Sequence, residues 1–422
     1  MQIAYITGEY PRATDTFIQR EVFALRDRGV DVHTFSIRRT GDEHIVGPEQ
    51  QSERDRTFYV LPISSLALVI THLGLLFQLP KHYLKALKLA WSTRQPGLSG
   101  IIYQLFYFAE AGIVAKQMRV RKLSHIHNHA PDSSGTVTML AAEMGNFTFS
   151  VTLHGPYIFF SPERWHLEEK LKRSLFISCI SHFARSQGML FTPVDVWKRM
   201  HIVHCGVTPA LFNLVSHTGI GCKLLYVGRL AATKGLPILL ESLVVLKKTF
   251  PDLVLTVVGD GSDKILLQNM VEELKLQQAV EFVGYQSQTK VREYIQHTDI
   301  FVLPSFAEGI PVVLMEAMAA GVPVVSTRIA GISELVEHGV SGYLVPPGDV
   351  TSLASAITTL LVNDQLRTAF GVAGRTAVEK NFNLEKEAKH LHSVLTSVLT
   401  DETEVVRLSS HEESKIYATQ NK

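Results

Sequence analysis

The sequence predicts two Rossmann-like α/β domains, each built on a parallel β-sheet. In the first half, a strand at 2–6, a helix at 15–28 and a strand at 31–37 form a βαβ unit, which requires parallel strands. Further strands of this half are predicted at 125–129, 148–153, 175–180 and 200–204. The second half alternates short apolar strands with helices, and its strands are predicted at 223–227, 253–258, 279–283, 299–303, 322–326 and 343–345.

The pattern divides the chain into five parts. A first domain occupies residues 1–205, and a linker rich in Gly, Pro, Ser and Thr follows at 206–222. The second domain covers residues 223–383, and a helix at 384–400 is expected to cross back to the first domain. Residues 401–422 are polar and are expected to form a tail.

Composition excludes several classes of protein. A chain of 422 residues that is 46% hydrophobic can bury two ordinary cores, and its net charge of +1 argues against a nucleic-acid-binding protein. The three cysteines are scattered and imply no disulfide framework. Because Met1 leads directly into a strand without a signal-peptide pattern, a cytoplasmic protein is expected.

The most informative residues are Glu308 and Glu316, which stand eight positions apart at a strand-to-helix junction. The apolar strand before them ends at Pro304, and Gly309 and Pro311 open the following helix. Ligands of open α/β sheets bind at this carboxyl edge, and the N-terminus of a helix offers free N–H groups to an anion. The pair therefore suits a ligand that has hydroxyl groups at two places and phosphate between them.

A second strand-to-helix loop carries two cations. Arg229 and Lys234 follow the strand at 223–227, beside Gly228 and Gly235. An arginine fork and a lysine point charge suit a diphosphate, and they can stabilise a diphosphate leaving group as its bond breaks.

With these motifs the chain resembles the retaining glycosyltransferases of GT-B architecture, specifically family 4 (group 1 glycosyltransferases). The resemblance covers nearly all of residues 222–380, through the motifs above together with Gly259-Asp260-Gly261, Gly331-Ile332-Ser333-Glu334 and Gly342-Tyr343-Leu344-Val345-Pro346. Over residues 1–205 it rests on shorter segments, among them His127-Asn128-His129 and Leu153-His154-Gly155, which are similar to the colanic-acid or exopolysaccharide-type members.

The resemblance implies a nucleotide-diphosphate sugar as donor substrate, a UDP-sugar being favoured and a GDP-sugar possible, with no tightly bound cofactor. His154, Arg229, Lys234 and Glu308 would be catalytic, with His154 near the donor sugar and Glu308 holding its hydroxyls. Glu316 would accept hydrogen bonds from the ribose. Backbone at the remaining positions would contact the donor: Gly8, Gly228, Gly259, Val283, Gly284, Gly309, Ile310, Pro311 and Val312. Only Gly8 remains of the glycine pair common in relatives at the first loop, and Arg12 nearby can meet an acceptor or a phosphate.

The reaction implied is sugar transfer with retention, without a metal, to a saccharide or lipid-linked saccharide acceptor in exopolysaccharide synthesis. Two other functions stay open, a GT-B epimerase or hydrolase of sugar nucleotides and a non-catalytic nucleotide-sugar-binding scaffold. Glu334 is interpreted as a helix-start residue.

Three alternating histidines, His125, His127 and His129, share one face of a predicted strand. Their spacing permits a metal site, but no cysteine or carboxylate partner is evident in the sequence. Contact of His127 or His129 with the acceptor, or simple packing, is preferred, and no metal site is predicted.

The segment 62–125 departs from a plain α/β pattern. It is apolar from 61 to 79 but interrupted by polar residues, and its eight Lys and Arg side chains face a single acid, Glu110. Lys81, Lys85 and Lys88 share one face of a predicted helix. A basic amphipathic surface of this kind favours contact with anionic lipid headgroups at the inner face of the cell membrane. The alternatives are a pair of core helices and a membrane-spanning helix.

Overall fold

The computed structural model describes residues 1–400 as two parallel α/β sheets that face each other across a cleft. The predicted polar tail at 401–422 lies outside the described residues. The predicted fold class is confirmed. The domain boundaries drawn from the sequence stay predictions.

The first sheet has seven parallel strands in the order β3-β2-β1-β4-β5-β6-β7. Their bounds are β1 Gln2–Glu9, β2 Asp31–Arg38, β3 Phe58–Tyr59, β4 His125–His129, β5 Thr148–Leu153, β6 Ile177–Cys179 and β7 Met200–Ile202. The two-residue edge strand β3 has no signal in the sequence, because it is too short to show alternation.

Ten helices accompany this sheet in the described chain. They are α1 Thr16–Arg26, α2 Pro48–Arg56, α3 Ser65–Gln78, α4 Pro80–Ser92, α5 Gly97–Val120, α6 Ser133–Gly145, α7 Tyr157–Phe160, α8 Leu167–Arg173, α9 His182–Leu190 and α10 Val194–Trp197. The apolar run at 61–79 is not one continuous span, because α3 begins only at Ser65 and Pro80 starts a new helix.

The second sheet has six parallel strands in the order β10-β9-β8-β11-β12-β13. They are β8 Lys223–Val227, β9 Val254–Val258, β10 Val280–Gly284, β11 Ile300–Leu303, β12 Val324–Thr327 and β13 Gly342–Val345. The accompanying helices are α11 Leu236–Lys247, α12 Lys264–Glu273, α13 Gln288–Gln296, α14 Val312–Ala319, α15 Ile332–Leu335, α16 Val350–Leu361, α17 Asp364–Asn381 and α18 at 384–400.

Each sheet has its own apolar core, and α18 joins the core of the first. Leu391 and Leu395 of α18 are buried with Ile3 and Val22 of the first sheet and its helix α1. In both sheets the strand order reverses direction beside the first strand, at β1/β4 and at β8/β11. This reversal leaves a crevice at the carboxyl ends of the strands, where α/β sheets bind ligands.

Candidate active site

A cleft of about 720 Å³ lies between the two sheets at the carboxyl ends of their strands. Twelve of the fourteen predicted site residues line it: Gly8, His154, Gly228, Arg229, Lys234, Gly259, Glu308, Gly309, Ile310, Pro311, Val312 and Glu316. Residues separated by up to 308 positions in the chain are therefore brought to one site.

Lys234 and Glu308 form a mostly buried ion pair in the cleft. The Lys234 ammonium lies 2.6 Å from a carboxylate oxygen of Glu308, and the hydroxyl of Ser305 donates to the same oxygen at 2.7 Å. Only 8% of the Glu308 side chain is exposed, so the carboxylate is almost fully desolvated and these two donors hold it in place.

Gly235 makes this contact possible by letting two loops approach closely. Its φ is +64°, and a Cβ there would lie 2.0 Å from the carbonyl oxygen of Pro304. Lys234 ends the short 3-10 turn Ala232–Lys234, which packs against the start of the Glu308 loop through a hydrogen bond from the Phe306 N–H to the Thr233 carbonyl. A side chain at 235 would separate the lysine from the glutamate.

Glu316 is held by an arginine from the opposite domain. The guanidinium of Arg20, in α1, lies 2.5 Å from a Glu316 carboxylate oxygen and also donates to the side-chain oxygen of Gln288 in α13. Both partners of the ion pair are mostly buried. The sequence offered no local signal for Arg20, because its partner stands almost 300 positions further along the chain.

Arg229 is exposed and has no carboxylate partner among residues 1–400. Its backbone carbonyl accepts a hydrogen bond from the hydroxyl of Tyr226, which fixes the turn after β8. Gly259 lies directly against this turn with φ +134°, and there is no room for a side chain because a Cβ would lie 2.0 Å from the Gly228 carbonyl oxygen. Within residues 1–400, the Arg229 guanidinium is therefore an unpaired cation on a rigid loop at the cleft wall.

His154 ends a buried chain of hydrogen bonds. Its Nε2 lies 2.8 Å from His129 Nδ1, and His129 Nε2 lies 3.1 Å from a carboxylate oxygen of Glu21, which also accepts from the hydroxyl of Tyr5. A carboxylate only accepts, so His129 donates to Glu21 from Nε2, and a neutral His129 then accepts from His154 at Nδ1. This arrangement leaves His154 Nδ1 without a proton, 3.9 Å from the sulfur of Cys205.

Burial lowers the pKa of His154 well below its ordinary value, and the nearby His129 adds to this effect. The imidazole is therefore neutral at physiological pH, and its orientation is set by its partners. The carbonyl of the same residue faces the second domain, where a Cβ on Gly309 would lie 2.2 Å from it. The two domains touch at this point, and only glycine fits.

The first turn of α14 contributes backbone to the cleft. Gly309, Ile310, Pro311 and Val312 line it, and α14 begins at Val312 after the extended residue Pro311. The first N–H groups of a helix have no partner within the helix and carry the positive end of its dipole. They can therefore bind an anion next to Lys234.

Val283 and Gly284 are the two predicted residues that do not line the cleft. The carbonyl of Gly284 accepts from the Gly259 N–H at 2.8 Å, and the carbonyl of Val283 accepts from the Gln286 side chain at 2.7 Å. The next residues along the chain, Tyr285 and Gln286, do line it. The predicted base-contacting role of Val283 and Gly284 stays a prediction.

The histidine strand has a carboxylate partner that the sequence did not reveal. Side-chain atoms of Glu21, His127 and His129 lie within 4.8 Å of one another. Both nitrogens of His127, however, are bonded at 2.7 Å to the hydroxyls of Ser150 and Thr152 on β5. His127 is fully buried and does not line the cleft, so packing is the alternative that fits it, whereas His129 lines the cleft.

Two other predicted residues have structural partners. Arg12 lines the cleft but lies 3.8 Å and 3.5 Å from the carboxylates of Glu9 and Asp15. Glu334 lies in the first turn of α15, and its carboxylate accepts from the backbone N–H groups of His182 and Phe183, both at 2.8 Å. Glu334, in the second domain, thereby caps the N-terminus of α9 in the first domain.

The second domain resembles a known protein family. Residues 222–377 match the family model "Glycosyl transferases group 1". This match covers the second domain, which is thus similar to the group 1 glycosyltransferases, and the two facing parallel sheets have the GT-B fold.

Several proteins are similar over most or part of the chain. "Amylovoran biosynthesis glycosyltransferase AmsK" of Erwinia amylovora is 27% identical over 94% of this chain and 99% of its own length. "Putative colanic acid biosynthesis glycosyltransferase WcaL" of Salmonella typhimurium is 34% identical over 50% of this chain and 57% of its own.

Solved structures share the fold across nearly the whole chain. Sucrose-phosphate synthase of Thermosynechococcus elongatus superposes with a TM-score of 0.72 at 20% identity, over 95% of this chain and 100% of the other. Anabaena Alr3699/HepE, in complex with UDP and glucose, superposes with a TM-score of 0.71 at 17% identity, over 94% and 100%.

Proposed function

We propose that this chain is a glycosyltransferase that moves a sugar from a nucleotide-diphosphate sugar to a saccharide or lipid-linked saccharide acceptor in exopolysaccharide synthesis, with retention at the anomeric carbon and without a metal ion. The observation that carries the proposal is the grouping of Lys234, Arg229 and the free N-terminus of α14 around Glu308 in one interdomain cleft. The full-length similarity to the amylovoran enzyme supports the exopolysaccharide setting.

The donor diphosphate would bind between the two cations and the first turn of α14. Lys234 and Arg229 supply positive charge from one loop, and α14 supplies N–H groups from the other. As the bond between the anomeric carbon and the phosphate oxygen breaks, negative charge grows on the diphosphate, where these groups are aimed. A related fold that binds UDP and glucose supports a UDP-sugar, and a GDP-sugar is the second choice.

The two glutamates would hold the donor's hydroxyl groups rather than attack its sugar. Glu308 is desolvated and bonded to Lys234 and Ser305, so it is placed to accept from sugar hydroxyls beside the diphosphate. Glu316 lies deeper along α14 and would accept from the ribose. With neither glutamate acting as a nucleophile, the released phosphate oxygen would take the acceptor hydroxyl's proton on the same face of the sugar.

A thermal-shift screen over UDP-, GDP- and ADP-sugars tests donor binding, since a ligand that binds only the folded state raises its stability. We expect one nucleotide class to raise the melting temperature of the wild-type chain. Lys234→Ala should lose most of this shift. Lys264→Ala is the matched control, because Lys264 pairs with Asp260 in the same domain outside the residues that line the cleft. No shift with any nucleotide sugar would count against the proposal.

A further inference from the structure

The helices α3, α4 and α5 expose an unusual amount of apolar side chain. Thirteen of the thirty exposed large hydrophobic residues in the described chain fall between positions 66 and 106. We call them the three-helix surface: Leu66, Val69, Ile70, Leu73, Phe77, Leu84, Leu87, Trp91, Leu98, Ile102, Tyr103, Leu105 and Phe106. Phe77 is 81% exposed and Leu98 74%. Exposed apolar residues grouped in this way mark an interaction surface.

The three helices form one fixed unit. His72 of α3 bonds the hydroxyl of Tyr83 in α4 at 3.0 Å and the carbonyl of Ala109 in α5 at 3.1 Å. The side-chain amide of Gln104 in α5 donates to the hydroxyl of Thr93, just after α4, at 3.1 Å. Because polar contacts and packing hold the inner sides together, the apolar stripes of these helices are directed outward.

The surface is suited to lying on a bilayer rather than crossing it. The helix α5 is long and apolar enough to span a membrane, but its second half is packed inside the domain, with Ala111 and Ala115 fully buried. Its exposed residues lie in its first half, apart from Lys116, Arg119 and Val120 towards its C-terminus. The helix α3, at 14 residues, is shorter than the roughly 20 residues that a span needs.

The charges on these helices select for a negative partner. Lys81, Lys85 and Lys88 are exposed beside the apolar stripe of α4, and the guanidinium of Arg94 lies 3.8 Å from the centre of the exposed Trp91 ring. The only acid between 62 and 125 is Glu110, and burial raises its pKa to about 7. Aromatic rings and basic chains with long apolar stems are the residues that settle at a lipid interface.

We propose that the three-helix surface docks on an anionic lipid bilayer, with its apolar stripes among the acyl chains and its lysines at the headgroups. A second copy of the chain fits less well, because a two-fold interface would place each copy's basic helices against the same basic helices of the other. An anionic leaflet instead satisfies both the apolar area and the positive charge.

The docked surface lies next to the active-site cleft. The side chain of Gln95, between α4 and α5, donates to the carbonyls of Glu163 and Arg164. That segment follows α7, whose Tyr157 and Phe160 line the cleft and are themselves exposed. This step rests on the proposed glycosyl transfer. Because the three-helix surface adjoins the cleft, the acceptor is a saccharide carried on a lipid of the same bilayer.

Vesicle co-sedimentation of the full chain tests the docking. We expect binding to vesicles of phosphatidylcholine with phosphatidylglycerol, and much weaker binding to phosphatidylcholine alone. Replacing Lys81, Lys85 and Lys88 together by Gln should weaken binding roughly a hundredfold at low salt. The triple change Phe77→Ser, Trp91→Ser and Phe106→Ser should abolish it. Ile265→Ser, Val362→Ser and Val372→Ser form the matched control, because these residues are equally exposed in the second domain.

The thermal shift with UDP-glucose separates this proposal from the enzymatic one. The Lys-to-Gln variant and the Ser variant should both show the wild-type increase in melting temperature with UDP-glucose. The same measurement shows that both variants fold. The proposal is overturned if the wild type does not bind the anionic vesicles, if the two surface variants bind as tightly as wild type, or if light scattering shows a stable dimer that the Ser variant loses. Failure of every nucleotide sugar to bind, with vesicle binding intact, would instead count against the proposed enzyme.

Discussion

At the scale of single residues, the site is a set of charges that hold one another in place. Glu308 is paired with Lys234, and Glu316 with Arg20, while Arg229 faces the cleft without a carboxylate partner among the described residues. Each pair is mostly buried, so breaking one partner leaves a desolvated charge behind. A donor with hydroxyls and a diphosphate can take over these contacts without exposing either glutamate.

The change Glu316→Gln should separate ribose binding from chemistry. A hydrogen bond to a charged acceptor contributes about 1.5–3 kcal/mol, so KM for the donor should rise roughly tenfold or more while kcat changes little. Steady-state kinetics measure this split. Glu293→Gln, on the exposed face of α13, is the control. A large fall in kcat with unchanged KM would show that Glu316 acts on the reaction itself.

The sequence was most predictive where the residues of a contact stand close together along the chain. Glu308, Gly309 and Pro311 follow the end of one strand, and Arg229 and Lys234 follow the end of another. The strand ends and helix starts visible in the sequence were therefore enough to predict that all five residues lie at the cleft. Arg20 and Gln288 were missed because they come from different domains and meet at Glu316 only when the two domains come together. Glu21 was missed because its partner His129 stands 108 positions further along the chain, within the same domain.

At the scale of elements, two loop glycines set how closely the domains and strands approach. Gly309 meets the carbonyl of His154 across the cleft, and Gly235 meets the carbonyl of Pro304 within the second domain. Neither contact could be predicted from the sequence. A glycine shows that another segment can approach the backbone closely, but it does not show which segment does so. Pro80 likewise indicated in the sequence that the apolar run at 61–79 ends there. The sequence did not indicate that the outer face of this run is exposed.

The change Gly309→Ala tests the interdomain contact. An added Cβ would lie 2.2 Å from the His154 carbonyl oxygen, so the domains must separate at this point. We expect turnover to fall about tenfold to a hundredfold, because positioning of reacting groups is sensitive to shifts of about 1 Å. The melting temperature should change little, since each domain keeps its own core.

Gly339→Ala is a suitable comparison for Gly309→Ala, because Gly339 lies in the second domain with no atom within 4 Å of an added Cβ. It also has a positive φ, so it reports any general cost of adding a side chain. Wild-type turnover in Gly309→Ala would contradict the interdomain contact as a requirement for catalysis.

At the scale of the whole molecule, the first domain depends on buried neutral histidines for its stability. His125 and His127 lie in the centre of the sheet, and burial lowers the pKa of His125 to about 3 and that of His127 well below its ordinary value. The unfolded chain binds protons on these groups as the pH falls below about 6.5, whereas the folded chain does not. Stability is therefore retained above that pH and lost as the pH falls.

This pH dependence is measurable by urea unfolding. Between about pH 7 and pH 5, His125 should cost about 2 kcal/mol of unfolding free energy. In His125→Gln, which keeps polar contact with Thr148 and Ser150, the loss over that range should be smaller by about this amount. Equal losses in the variant and in the wild type would show that His125 is protonated in the folded state.

The whole molecule also combines two surfaces whose functions differ. The cleft between the sheets collects the charges suited to a nucleotide sugar, and the three-helix surface beside it collects apolar and basic side chains. The net charge of +1 concealed this surface, because acids elsewhere in the chain balance the eight basic residues of the segment 62–125. Only the local excess of positive charge at 62–125 indicated this surface in the sequence.

Transfer of a labelled sugar tests the central claim most directly. The chain is incubated with the labelled nucleotide sugar that it binds and with lipid extract from bacteria that make exopolysaccharide, and the label is followed into the lipid fraction. We expect incorporation by the wild type and a loss of about a hundredfold or more in Lys234→Ala and Arg229→Ala, with Lys264→Ala unaffected. Label recovered only as free sugar, as an epimerised donor or as unchanged donor would contradict the claim that this cleft transfers a sugar to an acceptor.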